Sequence, residues 1–171
     1  YLLNTMWQID SSYYGIIQGG FPLGMLIGSI LVKNIMKQIS YSKLLYWINW
    51  VMGIEIILFA APLIIHTSRP KEIFILVFYT TLMIILGFLV AWVDIPLMVI
   101  LQQIVPTKIL GRVISISISI VKIIVPITLF ISGALLNIIS PVIIFLSGGA
   151  FIIIFNLIFF SFFADENLNS H

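Results

Sequence analysis

Three ionisable residues, Glu55, Asp94 and Lys122, stand inside or at the edge of long apolar runs that hold almost no other charge. A charge at membrane depth is expensive, and where one persists it usually serves an ion or substrate path, a proton relay or a counter-ion. Glu55 lies near the middle of its run, eleven residues from Leu44 and ten from Ile65. A carboxyl at that depth can exchange a proton or meet a substrate, or it can bond a neighbouring helix for structure alone. Lys122 is nine residues beyond Val113, about a third of the way into its run. Its ammonium reaches the surface only with difficulty, so pairing with Glu55 or Asp94, or contact with an anionic substrate group, competes with a purely structural ion pair. Asp94 precedes Ile95-Pro96. There it can cap or solvate backbone that the proline frees.

Other chemistry finds little support in the residue types. The chain has no Cys, which removes disulfides, thiolate metal sites and thiol nucleophiles. His66 sits beside Thr67 and Ser68 in a connector with no second His at ligand spacing, so no metal site is expected. No Gly-rich loop ends in Lys-Ser or Lys-Thr, so an ATP-driven role would need a borrowed ATPase. Ser115, Ser117 and Ser119 alternate along a helical run, a spacing expected to scatter them over different faces and to argue against a nucleophile triad. Gln18, Asn49, Gln102 and Gln103 can bond across helices. No catalytic residue and no cofactor is expected, and an enzyme ranks last among the readings.

The elements that must carry these groups follow from composition. The chain is 61% hydrophobic and 8% charged, far from the roughly one-quarter charged residues of soluble domains. It reads as an all-α membrane protein whose first partner is the lipid bilayer. Charge-free runs at 13–32, 44–65, 73–105, 113–136 and 142–163 are each long enough to cross about 30 Å of hydrocarbon as a helix. They do not alternate as barrel strands do. The third run exceeds one crossing, and Pro96 within it predicts a kink. Asp10-Ser11-Ser12 supplies capping side chains ahead of the first run, and Pro141 suits the first turn of the last. A net charge of +2 with scattered Lys and Arg gives no nucleic-acid patch.

Connectors on one side hold Lys33, Lys37, Lys43, Lys108 and Arg112; those on the other hold Arg69 and Lys71. The excess places the first side in the cytoplasm of a multi-pass cell-membrane protein, the amino terminus outside and the tail, 164–171, inside. An outside start with an odd number of spans, and an opening Tyr1 rather than Met, predict a preceding span, with 1–12 as the outer end of a truncated helix and its loop.

In the first run Gly20, Gly24 and Gly28 recur every fourth residue, with Gly15 and Gly19 one turn above. They form a flat stripe for close helix contact, on which two bundles slide or merely pack. The order Tyr14-Gly15-Ile16-Ile17-Gln18, Gly24, Gly28-Ser29 and a basic loop resembles the repeated signature loop in the second half of major facilitator superfamily transporters. Leu101-Gln102-Gln103-Ile104-Val105-Pro106, then Gly111-Arg112-Val113 and Ser115, resembles the connector after the tenth helix in that superfamily's drug and siderophore exporters, the macrolide-efflux type in particular. Pro126 and Gly133-Ala134-Leu135-Leu136 fall where those exporters have a proline and a glycine.

The resemblance implies that the runs are helices eight to twelve, that Gly111 and Arg112 belong to a packing or gating connector, and that the partner is a missing amino-terminal transporter half. The acidic and double-arginine part of the signature loop is absent, so no gating ion pair is implied there. The implied function is proton-coupled efflux of a small amphipathic molecule by alternating access, with Glu55, Lys122 and Asp94 as coupling or transport residues. The competing expectation is a non-transporting membrane scaffold or assembly subunit. Trp47, Trp50, Tyr79 and Trp92 suit a drug cavity or the membrane interfaces.

Overall fold

The structure is a computed structural model describing residues 10–35, 39–65 and 72–168, with the side chains of residues 11, 42 and 161–168 left undescribed. Residues 1–9, Lys37, His66, Arg69, Lys71 and the tail from 169 onward lie outside it. The described residues form six helices and no strand: α1 (Ser11–Ile35), α2 (Tyr41–Leu58), α3 (Ala61–Ile65), α4 (Glu72–Ile104), α5 (Thr107–Leu135) and α6 (Pro141–Leu168). Five segments, with α2 and α3 forming one of them, are long and apolar enough to cross a membrane. Asp10 caps α1, its carboxylate accepting the Ser12 amide at 2.8 Å. That bond holds the exposed Asp10 carboxyl below the usual carboxylate range. Pro141 opens α6, where its missing N–H costs no helical bond.

Helix α1 runs on to Ile35, taking in Lys33, and α6 runs on to Leu168, into the expected tail of 164–171; two further boundaries differ from the sequence expectation in ways that bear on the site. The run 44–65 is not one helix, because α2 ends at Leu58 and a turn at Phe59-Ala60 separates it from α3. Pro62 explains the break: a continuous helix would need the N–H it lacks and would press its ring on the Leu58 carbonyl. The chain compensates by tightening, with the Ala60 amide on the Ile57 carbonyl and the Leu63 amide on the Ala60 carbonyl, both at 3.0 Å. The Phe59 carbonyl is left without its helical partner, and the buried Tyr79 hydroxyl donates to it from α4 at 3.1 Å. The other correction is α5, which starts at Thr107 rather than 113, so Lys108, Gly111 and Arg112 belong to a helix and not to a connector. Helix α4 runs through Pro96 without interruption.

Packing rests on two glycine contacts. Helices α1 and α4 run parallel, Gly20 facing Thr80, Gly24 facing Ile84 and Gly28 facing Phe88 and Ala91. From the other side Gly87 abuts the Phe21 carbonyl. A Cβ on Gly24 or Gly87 would run into backbone of the opposite helix, so only glycine permits this approach. Trp92 adds a polar link, its indole N–H donating to the Gly28 carbonyl at 3.0 Å. Helices α2 and α6 run antiparallel, with Gly53 against Gly149 and the Asn156 amide donating to the Tyr46 carbonyl at 3.0 Å. The buried core is split between α1–α4 and α2–α4 contacts. One cluster joins Ile17 to Ile75, Tyr79 and Leu82; the other joins Leu44 and Ile48 to Leu89. Helix α5 contributes no buried residue.

Candidate functional site

Glu55 sits on α2 one turn before the break, its carbonyl accepting the Phe59 amide at 3.1 Å. Its side chain is 2% exposed, and neither carboxylate oxygen meets a donor in good geometry. The backbone of Leu86 in α4 lies beside it, but a mid-helix amide is already committed to its own helix. A buried carboxylate without a partner costs several kcal/mol. Burial of this kind disfavours leaving the group as a bare anion.

A cavity of about 380 Å³ lies at the same end of the bundle, lined by neighbours of Glu55 but not by Glu55 itself. Its walls come from the start of α1 (Tyr14, Ile17, Gln18), the end of α2 (Ile56, Phe59), the first half of α4 (Tyr79, Met83, Leu86), Leu136 after α5 and Phe145 of α6. All of these stand toward the end of the bundle opposite Lys33, Lys43 and Lys108, as the helix directions require. Glu55 precedes the lining residue Ile56 in the chain and lies beside the lining residue Leu86. The walls are apolar apart from the Gln18 amide, which donates to the Tyr14 hydroxyl at 3.3 Å, and the Tyr79 hydroxyl. Size and lining suit a small, largely apolar molecule with one or two polar groups.

The other sequence candidates are not brought to this site. Asp94 is exposed on α4, near the start of α2, where the Tyr41 hydroxyl reaches the adjacent Val93 carbonyl at 3.5 Å. As an acceptor, its carboxylate offers nothing to the carbonyl that Pro96 frees. Lys122 is exposed on α5. With α5 starting at Thr107, Lys122 stands halfway along the helix rather than a third of the way in. It does not pair with Glu55, whose carboxyl has no partner. Gly20, Gly24 and Gly28 meet α4, whereas a Cβ on Gly15 or Gly111 would meet nothing within 4 Å. Arg112 is exposed in the fourth position beyond Lys108 on the same helix.

Sequence reasoning missed Gly53, Gly87, Gly149 and Asn156. Gly53 and Gly87 are isolated and Gly149 follows Gly148 in a lone pair, so none forms a stripe and only their tertiary partners reveal them. Asn156 is 1% exposed and holds α6 to α2; a lone amide in an apolar run was its available signal. The serines also need correction. Ser115 and Ser119 are one turn apart and share a face, while Ser117 points elsewhere and bonds the Val113 carbonyl of its own helix at 3.0 Å. Among the described residues no cluster of His, Asp or Glu is placed to hold a metal. Compared with models of known families, with curated proteins and with solved structures, the chain matches none.

Proposed function

We propose that the chain is the carboxyl-terminal part of a secondary active transporter of the major facilitator type, exporting a small amphipathic molecule in exchange for protons by alternating access. The observation that carries this reading is Glu55, a carboxyl buried at mid-span without a hydrogen-bond partner, whose chain neighbour Ile56 lines a cavity between the helices. Neutralising such a group with a proton, and releasing that proton when the surroundings rearrange, couples protonation to conformation. The excess of Lys and Arg at the end holding Lys33, Lys43 and Lys108 supports a cytoplasmic location for that end. A second set of helices would complete the path, since transport sites of this class lie between two halves.

In the complete protein, Glu55→Gln is expected to abolish proton-driven efflux of amphipathic dyes from everted vesicles while leaving expression intact. Unchanged efflux would remove the coupling role. A scaffold without transport is the second reading, favoured by the two interlocked glycine contacts, which serve association in either case. It requires that Glu55→Gln alter only assembly. It also requires that the gene upstream of Tyr1 lack the further apolar runs a transporter would encode.

A further inference from the structure

Helix α5 is the one long helix that buries nothing, and its exposed surface is divided by chemistry. Projected at 100° per residue, Lys108, Arg112, Ser115, Ser119, Lys122 and Pro126 fall within an arc of about 80°. Between Lys108 and Pro126 no other residue falls in that arc, and Gly111 and Ile123 flank it on either side. The rest of the helix surface is Ile- and Val-rich, with Ile116, Ile120, Ile123, Ile124 and Ile127 all exposed. The hydroxyls divide the same way. Ser117 and Thr128, off the stripe, turn back onto their own helix at 3.0 and 2.9 Å. Ser115 and Ser119, on the stripe, make no such bond and remain available to water or a ligand.

A lipid-facing stripe would be apolar, as the opposite face is. A packing stripe against another helix would be small and would need a carboxylate for each long cation. A hydroxyl-rich stripe with cations at its end and at its centre fits neither; it fits a wall wetted by water. Lys122 lies about 21 Å along the helix axis from Lys108, too deep to answer a lipid head group. We infer that the α5 stripe lines a hydrated path and that Lys122 binds the anionic group of the molecule that moves through it. The substrate class is then a small amphiphile bearing a carboxylate or a comparable single negative charge. This inference rests on the transporter reading for the word substrate, but the wetted, anion-selective wall is tested without any transport.

The 171 residues hold no cysteine, so the test needs only that any cysteine elsewhere in the full-length protein first be replaced by serine. Single cysteines are placed at Ser115 and Ser119 on the stripe, and at Ser117 and Ile124 off it, in the full-length protein in its own membrane. Each is treated with membrane-impermeant methanethiosulfonates, one carrying a sulfonate and one a trimethylammonium. Ser115→Cys and Ser119→Cys are expected to react, and Ser117→Cys and Ile124→Cys to react at least about tenfold more slowly, as thiols facing lipid exclude charged reagents. At Ser119→Cys, one turn from Lys122, the sulfonate should outpace the cation by at least about fivefold, a ratio consistent with a unit charge at close range in a partly hydrated site. Lys122→Gln should abolish that preference and Lys122→Arg should keep it, which separates lost charge from misfolding. Glu55→Gln should leave the labelling pattern unchanged, so failure of proton coupling leaves this result standing. Equal reactivity on and off the stripe, as a covering helix or lipid would produce, overturns the hydrated path. Reactivity without charge preference, or a preference that survives Lys122→Gln, overturns the anion site.

Discussion

Replacing glycine by alanine at successive positions along α1 tests the α1–α4 contact with a change of sign. At Gly15 an added Cβ meets nothing within 4 Å. The substitution there gains only the better helix propensity of alanine, about 1 kcal/mol at most. At Gly20 the Cβ would stand 3.0 Å from the Thr80 carbonyl oxygen, and at Gly28 it would stand 2.9 Å from that of Phe88 and 3.0 Å from the Ala91 Cβ. Ordinary contact begins near 3.4 Å, so at Gly20 the helices must yield by a few tenths of an ångström and the propensity gain is roughly cancelled, whereas at Gly28, inside 3.0 Å of backbone, a helix must shift and the substitution destabilises. At Gly24 the Cβ would enter the Ile84 carbonyl. Backbone cannot turn aside as a side chain does, so the two helices must separate. Overpacking of this kind costs about 1–3 kcal/mol, and separation also loosens the cluster of Ile17, Ile75, Tyr79 and Leu82. After the propensity gain, Gly24→Ala should lose about 2 kcal/mol while Gly15→Ala is neutral or stabilised. Reversible unfolding in mixed detergent micelles, followed by Trp fluorescence, measures the series. Gly87→Ala should match Gly24→Ala, and the double variant should cost less than the sum, because one separation accommodates both. A Gly24→Ala protein no less stable than Gly15→Ala would refute the close parallel contact.

Three further outcomes are checked by the same unfolding measurement. Tyr79→Phe removes the donor to the Phe59 carbonyl at the α2–α3 break and should cost about 1–2 kcal/mol, since that carbonyl has no helical replacement. Trp92→Phe keeps the ring beside Phe88 but loses the bond to Gly28, for about 1 kcal/mol. Asn156→Leu gives up the bond to Tyr46 but also removes a buried amide oxygen that has no partner, so it should stay within about 1 kcal/mol of the parent.

Hydropathy made the spans legible because each crossing needs an unbroken apolar length, and that length is written locally. Boundaries were less legible where polarity and helicity diverge. Lys108, Gly111 and Arg112 look like a connector when charge is taken to mean solvent, yet a polar stripe can run along a helix whose other faces are apolar. The break at Phe59-Ala60 escaped a reading based on charge-free runs, although Pro62 stood two residues beyond it as a signal. Gly20, Gly24 and Gly28 announced a contact by their spacing, but not which helix would meet them. Gly87, Gly53 and Gly149 became visible only with the chain folded, because neither a single glycine nor the doublet Gly148-Gly149 carries a helical period.

The placement of the three membrane charges bears on how many tasks they share. Had Glu55 and Lys122 met, each would have neutralised the other, and a structural ion pair would have accounted for both. Instead Glu55 is enclosed by α2 and its neighbours with both oxygens unbonded, and Lys122 stands on the uncovered face of α5. Two uncompensated groups in separate surroundings need two separate partners. For Glu55, enclosed next to a residue that lines an apolar cavity, a proton is the smallest neutralising partner that can arrive and leave. For Lys122, on a stripe whose hydroxyls are free, water and an anion serve. Asp94, exposed at another level of α4 beside the Tyr41 region, is bound to neither task by anything it touches. Since no salt bridge joins the two groups, any exchange of a proton for an anion would have to link their occupancies through the conformation of the helices that carry them, because independent sites have no coupling free energy.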